Sequence, residues 1–279
     1  MDDVTEVLHA ESPEETAAHE VVDLTGINIL LAEDGIDNRE ILSAYIRGAG
    51  GTVQCVENGK EAVKAARAAQ DVGNPFAIIL MDMQMPVLDG YAATSQLRRR
   101  GYYEPIVALT AHAMLDDRAR CISAGCDDYM SKPVDQIALL NMIKHFATSV
   151  PSQQNPNPAP KAAAEIVPVL EIPAQAAIRS PLANDPRLAP VLAAFVERLP
   201  EMATELKQHW ETQSLVDLKR AAHRLAGAGG SYGLPEISKA ASALEHGVEK
   251  EGFVASVNEQ MNTLIGTLER VDGYRAKAA

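Results

Sequence analysis

Cysteine, aromatic side chains, basic stripes and long apolar runs are all scarce in this chain, and each scarcity closes off a class of protein. The three cysteines, Cys55, Cys121 and Cys126, are odd in number and lack the paired spacing of zinc ligands. Neither a disulfide framework nor a structural metal is suggested, and buried free thiols are expected. No segment holds the ~18 consecutive apolar residues of a membrane span, and Asp2 and Asp3 stand where a secretory leader would be basic. A soluble, cytoplasmic protein is therefore expected, with no membrane partner. The densest basic cluster, Arg98-Arg99-Arg100, is short and reads as favourable charge at a helix C-terminus. A nucleic-acid partner would need a longer stripe of cations and is not expected.

What is present is enough apolar material for two cores: 279 residues, 47% of them hydrophobic. The net charge of −13 is concentrated at the start, where residues 1–25 carry eight acidic and no basic side chains. That stretch reads as an acidic, solvated N-terminal tail. From residue 26 to 148, five short apolar runs (27–32, 52–56, 76–81, 106–109 and 128–130) alternate with stretches of helical spacing such as Ile137, Leu140 and Ile143. The first, third and fourth runs are too continuously apolar for strands with one wet face, which predicts a doubly wound α/β domain on a five-stranded parallel sheet. Residues 149–182 are rich in proline and alanine and read as an extended linker. Over 183–275 the strand signal gives way to four amphipathic stripes, which predict an all-α four-helix bundle.

Ligands of an open parallel sheet bind at the carboxyl ends of its strands. Glu33 and Asp34 follow the first run, Asp82 ends the third, Thr110 the fourth, and Lys132 closes the fifth. Three carboxylates converging there would repel one another unless a hard divalent cation such as Mg²⁺ sat among them. A lysine and a hydroxyl beside that ion complete the electrostatic requirement of a phosphoryl site. A strand-end aspartate also serves haloacid-dehalogenase-type phosphatases, but those place an acid-base aspartate two residues later, where this chain has Gln84.

Leu31-Ala32-Glu33-Asp34, Met81-Asp82-Met83-Gln84-Met85-Pro86 with Asp89-Gly90, Ala108-Leu109-Thr110-Ala111 and Ser131-Lys132-Pro133 resemble the receiver domains of response regulators and hybrid histidine kinases. The resemblance implies a flavodoxin-like fold with Asp82 as phosphoacceptor. It also implies Mg²⁺ ligation by Asp34, Asp82 and the Gln84 carbonyl, with Glu33 acting through water. Thr110 and Tyr129 would form a switch pair, and Lys132 would meet a phosphoryl oxygen. Positions 84 and 112, Gln84 and His112, border the path of hydrolytic water in that family.

In the helical half His223 draws attention. At ~100° per residue it lies about 140° from Leu218, away from the Leu218, Ala222 and Leu225 stripe, and should face solvent. Gly227 and Gly230, at i+4 and i+7, cost roughly 1 kcal/mol each against alanine in a helix. They either break the helix into a turn or bare a surface for another protein to approach the imidazole. The run Ala222-His223-Arg224-Leu225-Ala226-Gly227, with Ser231-Tyr232-Gly233, resembles the histidine phosphotransfer (HPt) motif, which implies His223 as a second phosphoacceptor. That motif often has a lysine where Ala226 stands. Lys219 and Arg220, at i−4 and i−3, are placed to supply the charge.

The expected function is two-component phosphorelay, with a histidine kinase and at least one other receiver or HPt protein as partners and an intramolecular receiver–HPt contact feasible. No stretch resembles an ATP-binding kinase core, so an enzyme in that sense is not expected. A phosphorylation-gated docking protein or phosphate sink is the alternative. The chain also reads either as the C-terminal part of a hybrid histidine kinase or as a stand-alone relay, which Met1 and the acidic tail favour.

Overall fold

The computed structural model describes residues 22–111, 115–148 and 177–275. Strands β1 (Asn28–Ala32), β2 (Thr52–Val56), β3 (Ile78–Asp82), β4 (Ile106–Thr110) and β5 (Asp128–Ser131) form one parallel sheet in the order β2-β1-β3-β4-β5. Between and after them run α1 (Ile36–Gly48), α2 (Gly59–Asp71), α3 (Gly90–Arg99), α4 (Leu115–Ala124) and α5 (Gln136–Thr148). The period-2 alternation of a strand sorts the sheet's side chains into two cores. Ile29, Leu31, Ile78, Leu80, Val107 and Leu109 face α1 and α5. Leu30, Ala32, Ile79, Met81, Ile106 and Ala108 face the layer of α2 and α3. All of these are fully buried, as continuously apolar strands require.

Four expectations need correction. Ile137 is 52% exposed, and α5 turns Leu139, Leu140 and Ile143 inward instead, because two adjacent leucines shift the buried stripe by one residue. Cys55 is exposed on the edge strand β2, while Cys121 and Cys126 are buried. The last residues of the expected tail belong to the fold: Leu24 is buried and its N–H donates to the Ala49 carbonyl at 2.8 Å. So does the end of the expected linker, since Ile178 is buried and pairs with Val271. The rest of both segments, residues 1–21 and 149–176, lies outside the described residues.

The C-terminal domain packs α6 (Ala189–Glu211), α7 (Leu215–Ser231), α8 (Pro235–Glu251) and α9 (Ala255–Glu269) around Phe195, Leu199, Leu218, Leu225, Leu244 and Leu264. Phe195 stacks on Tyr232 with ring centroids 4.1 Å apart. The glycines do not break α7, which runs through Gly227, Gly229 and Gly230 to Ser231 before Gly233 turns the chain at φ +68°.

The two domains are docked, and the α1 side of the sheet core is continuous with the bundle core. Arg198 of α6 holds Asp37 at 2.6 Å and Glu40 at 2.5 Å, both on α1. Tyr45 donates to the Ser231 carbonyl at 2.5 Å, and Tyr232 to the Asp37 carbonyl at 3.3 Å. The Val134 N–H donates to Ser231 Oγ at 3.2 Å. A Cβ on Gly230 would lie 2.1 Å from Pro133 Cβ, and one on Gly227 would lie 3.0 Å from Asn38 Nδ2. The bare stripe of α7 is thus where the receiver's surface comes down on it.

Gly230→Ala separates helix propensity from docking. Alanine stabilises a helix by up to ~1 kcal/mol over glycine, yet its methyl group collides with Pro133. Heat unfolding of the helical domain is expected to be unchanged or raised. The interdomain distance, read by small-angle scattering or a pair of spectroscopic labels, should increase.

Candidate functional site

The strand order reverses between β1 and β3, and the acidic residues lie at the carboxyl ends of those two strands. One oxygen from each of Glu33, Asp34 and Asp82 lies within 4.8 Å of the others. Lys132, after β5, extends between two of them, with Nζ 2.6 Å from Glu33 Oε2 and 2.8 Å from Asp82 Oδ2. The other oxygen of Glu33 accepts from Asn38 Nδ2 at 3.1 Å and from the Gly35 N–H at 3.3 Å. Asp82 Oδ1 accepts from the Gln84 N–H at 2.9 Å. Glu33 and Asp82 are both 1% exposed.

Burial pushes the Glu33 carboxyl above its ordinary range; Lys132 opposes the shift and Asp82 adds to it. Asp34 is also raised, first by burial and then by Glu33, against the pull of Lys132 and of Arg224 from the helical domain. Two nearby carboxylates outweigh the desolvation of Lys132, so its ammonium is held in the charged form.

Thr110 ends β4, is 4% exposed, and its carbonyl accepts from the Lys132 N–H at 2.7 Å. Tyr129 is half-buried against the core on the other side of the sheet from the docked bundle, with the Arg118 guanidinium 5.9 Å from its ring. The side chain of Gln84 is exposed and borders a cavity of about 220 Å³ with His223, Lys219 and Arg220. His112 lies outside the described residues.

His223 corrects the expectation of solvent exposure: it is 6% exposed, because the helix face turned away from the bundle core is the face that the receiver covers. Its Nδ1 is 3.0 Å from Glu245 Oε1, and because a carboxylate oxygen only accepts, this hydrogen bond requires a proton on Nδ1. Nε2 is buried with no hydrogen-bond partner among the described residues. Lys219 and Arg220 are paired on the helix surface, with Glu249 at 3.0 Å and Asp217 at 3.6 Å. A second cavity, of about 170 Å³, is bordered by both Lys132 and His223. Lys132, which is bound to Asp82, and His223 therefore border one cavity.

Sequence reasoning missed Glu245, Asn38 and the Arg198 clamp. Glu245 stands beside Leu244 in an amphipathic helix and carries no sequence signal that separates it from a solvated acid. Asn38 and Arg198 act only across contacts that follow from the fold.

Comparison with known proteins agrees with this geometry. A family model for the response regulator receiver domain matches residues 29–144, and one for the Hpt domain matches residues 190–274. The two-component response regulator ORR41 of Oryza sativa subsp. japonica is 41% identical over 122 residues, which cover 43% of this chain and 94% of the relative. The sensor histidine kinase GacS of Pseudomonas protegens is 26% identical over 246 residues, 86% of this chain but only 26% of that protein. Among solved structures, the receiver domain of a sensor histidine kinase from Pseudomonas aeruginosa PAO1 is 38% identical, with 45% of this chain and all of that one covered, at a TM-score of 0.41. The chain belongs to the response regulator receiver family, carries an Hpt domain after its receiver, and serves two-component phosphorelay signalling.

Proposed function

We propose that this chain carries a phosphoryl group between Asp82 and His223 within one molecule, taking it from a histidine kinase and yielding it to a further receiver. The observation that supports this reading most is the cavity shared by Lys132, which holds Asp82, and His223, whose Nε2 has no hydrogen-bond partner among the described residues. In the transfer step the Nε2 lone pair attacks the phosphorus of the acyl phosphate on Asp82. The N–P bond forms as the O–P bond breaks, the electron pair returns to the Asp82 carboxylate, and the Nδ1 proton stays in its bond to Glu245. Glu245 positions the ring and stabilises the positive charge that develops on it, as a carboxylate does for a histidine base.

The acidic cluster fits Mg²⁺: three carboxylates gather oxygen donors within 4.8 Å, and one ammonium balances only part of their charge. Glu33, Asp34, Asp82 and the Gln84 carbonyl would hold it, and when bound it neutralises phosphoryl oxygens. Lys132 contacts a further phosphoryl oxygen, while Thr110 and Tyr129 move with the phosphorylated state. ATP binding is left to the kinase, and the only chemistry of this chain is the making and breaking of its own phosphoryl bonds. The cytoplasm is its place of action, together with its partners. The similarity to GacS across both domains supports a second reading, in which this pair of domains works as part of a hybrid histidine kinase.

Labelling from a phosphorylated kinase checks the order of stations. Asp82→Asn should abolish label at both stations, His223→Gln should leave base-labile label on Asp82, and chelation of Mg²⁺ should abolish both. Label reaching His223 in Asp82→Asn would overturn the order. Glu245→Ala should slow transfer to His223 about tenfold or more and change the tautomer of its ring, seen in the imidazole ¹⁵N shifts, while transfer to Asp82 stays as before.

A further inference from the structure

After transfer, His223 carries a group of about two negative charges beside the buried carboxylate of Glu245. While the domains are docked, Lys132 is at hand, but it belongs to the receiver and already holds Glu33 and Asp82. The helical domain needs donors of its own to hold the phosphoryl oxygens. The cavity next to His223 shows which residues border the space. At about 170 Å³ it has room for several waters of ~30 Å³ each, and so for a phosphoryl group.

Its wall on α7 offers nothing, since Ala226 and Gly227 contribute a methyl group and bare backbone. Its wall on α8 is polar: Ser238, Ser242, Glu245 and His246 recur at spacings of four, three and one, which places them on one helix face. Ser238 is committed to the Ala226 carbonyl at 2.5 Å and Glu245 to His223 Nδ1 at 3.0 Å. That leaves one hydroxyl and one imidazole facing the space. Lys219 and Arg220 border the other cavity, which does not include Lys132, and each is paired with a carboxylate.

We propose that Ser242 and His246 are the phosphoryl-contacting residues of the helical domain, and that together they bind the oxygens of the group carried by His223. This rests on the reading of His223 as an acceptor. The hydroxyl donates one hydrogen bond, and the imidazole donates another, charge-assisted by the dianion. The donors of the site thereby lie on the neighbour of the histidine helix. Ala226 is small because the space above it belongs to the phosphoryl group and to the α8 side chains.

The full chain, loaded with labelled acetyl phosphate and Mg²⁺, tests this by separating base-labile label on Asp82 from base-stable label on His223. A hydrogen bond to a charged group supports the expectation that His246→Ala and Ser242→Ala each slow the appearance of base-stable label about tenfold. His246→Gln should recover part of the loss, and Ala226→Lys in the His246→Ala background should recover most of it. Both residues are exposed, so the variants are expected to unfold at the wild-type temperature. If base-stable label is lost in His223→Gln but forms at the wild-type rate in both alanine variants, the proposal fails while His223 keeps its role. If His223→Gln retains the base-stable label, the reading beneath it fails.

Discussion

A single ammonium group holds the working end of this molecule together. Lys132 lies with its side chain 4% exposed between Glu33 and Asp82, and without it two carboxylates would sit side by side in a buried strand-end cleft. Burying one unpaired charge costs several kcal/mol, and the lysine offsets that cost for the acids it touches. Its position follows from β5, the edge strand that ends just before it, and from the backbone bond between Lys132 and Thr110. From that cation the site extends both ways, to the acids at the centre of the sheet and, through its aliphatic stem near Gly227, to the helical domain.

The docking of the two domains follows the same logic of matched shape and charge. Gly227 and Gly230 remove the side chains that would hold α7 away from Asn38 and Pro133. Arg198 then fixes the angle of approach by gripping two acids of α1, one of them buried. Apolar packing alone would tolerate sliding, whereas a guanidinium shared by two carboxylates does not.

Much of this was legible in the sequence, and the reasons differ from part to part. Strands buried on both faces leave continuous apolar runs, so the sheet and the residues ending its strands could be read directly from Ile29 to Ala32, Ile78 to Met81 and Ile106 to Leu109. The stripes of α6 to α9 were equally clear. The exposure of His223 was misjudged because helical periodicity reports only which face meets the bundle's own core. Nothing in one helix says that a second domain will cover its other face. The glycines read either as a helix break or as bare surface, because the partner that decides between them, Pro133, lies almost a hundred residues earlier and is brought near only by the tertiary fold. Glu245 was missed for a related reason, since a carboxylate beside a core stripe becomes an orienting group only when a neighbouring helix points a ring at it.

The docked interface changes the terms on which other proteins compete for the chain. A covalently joined pair of sites meets at an effective concentration in the millimolar range when the connection spans the gap comfortably, far above the level of a typical free signalling protein. In the relay proposed above, a foreign receiver or phosphotransfer domain would have to win against a resident one that never diffuses away. Weak, mismatched encounters lose that contest, and only partners with comparable complementarity to α1 or α7 gain entry. Covalent tethering would then act as insulation, setting a threshold of affinity beneath which cross-talk is filtered out before any phosphoryl group moves.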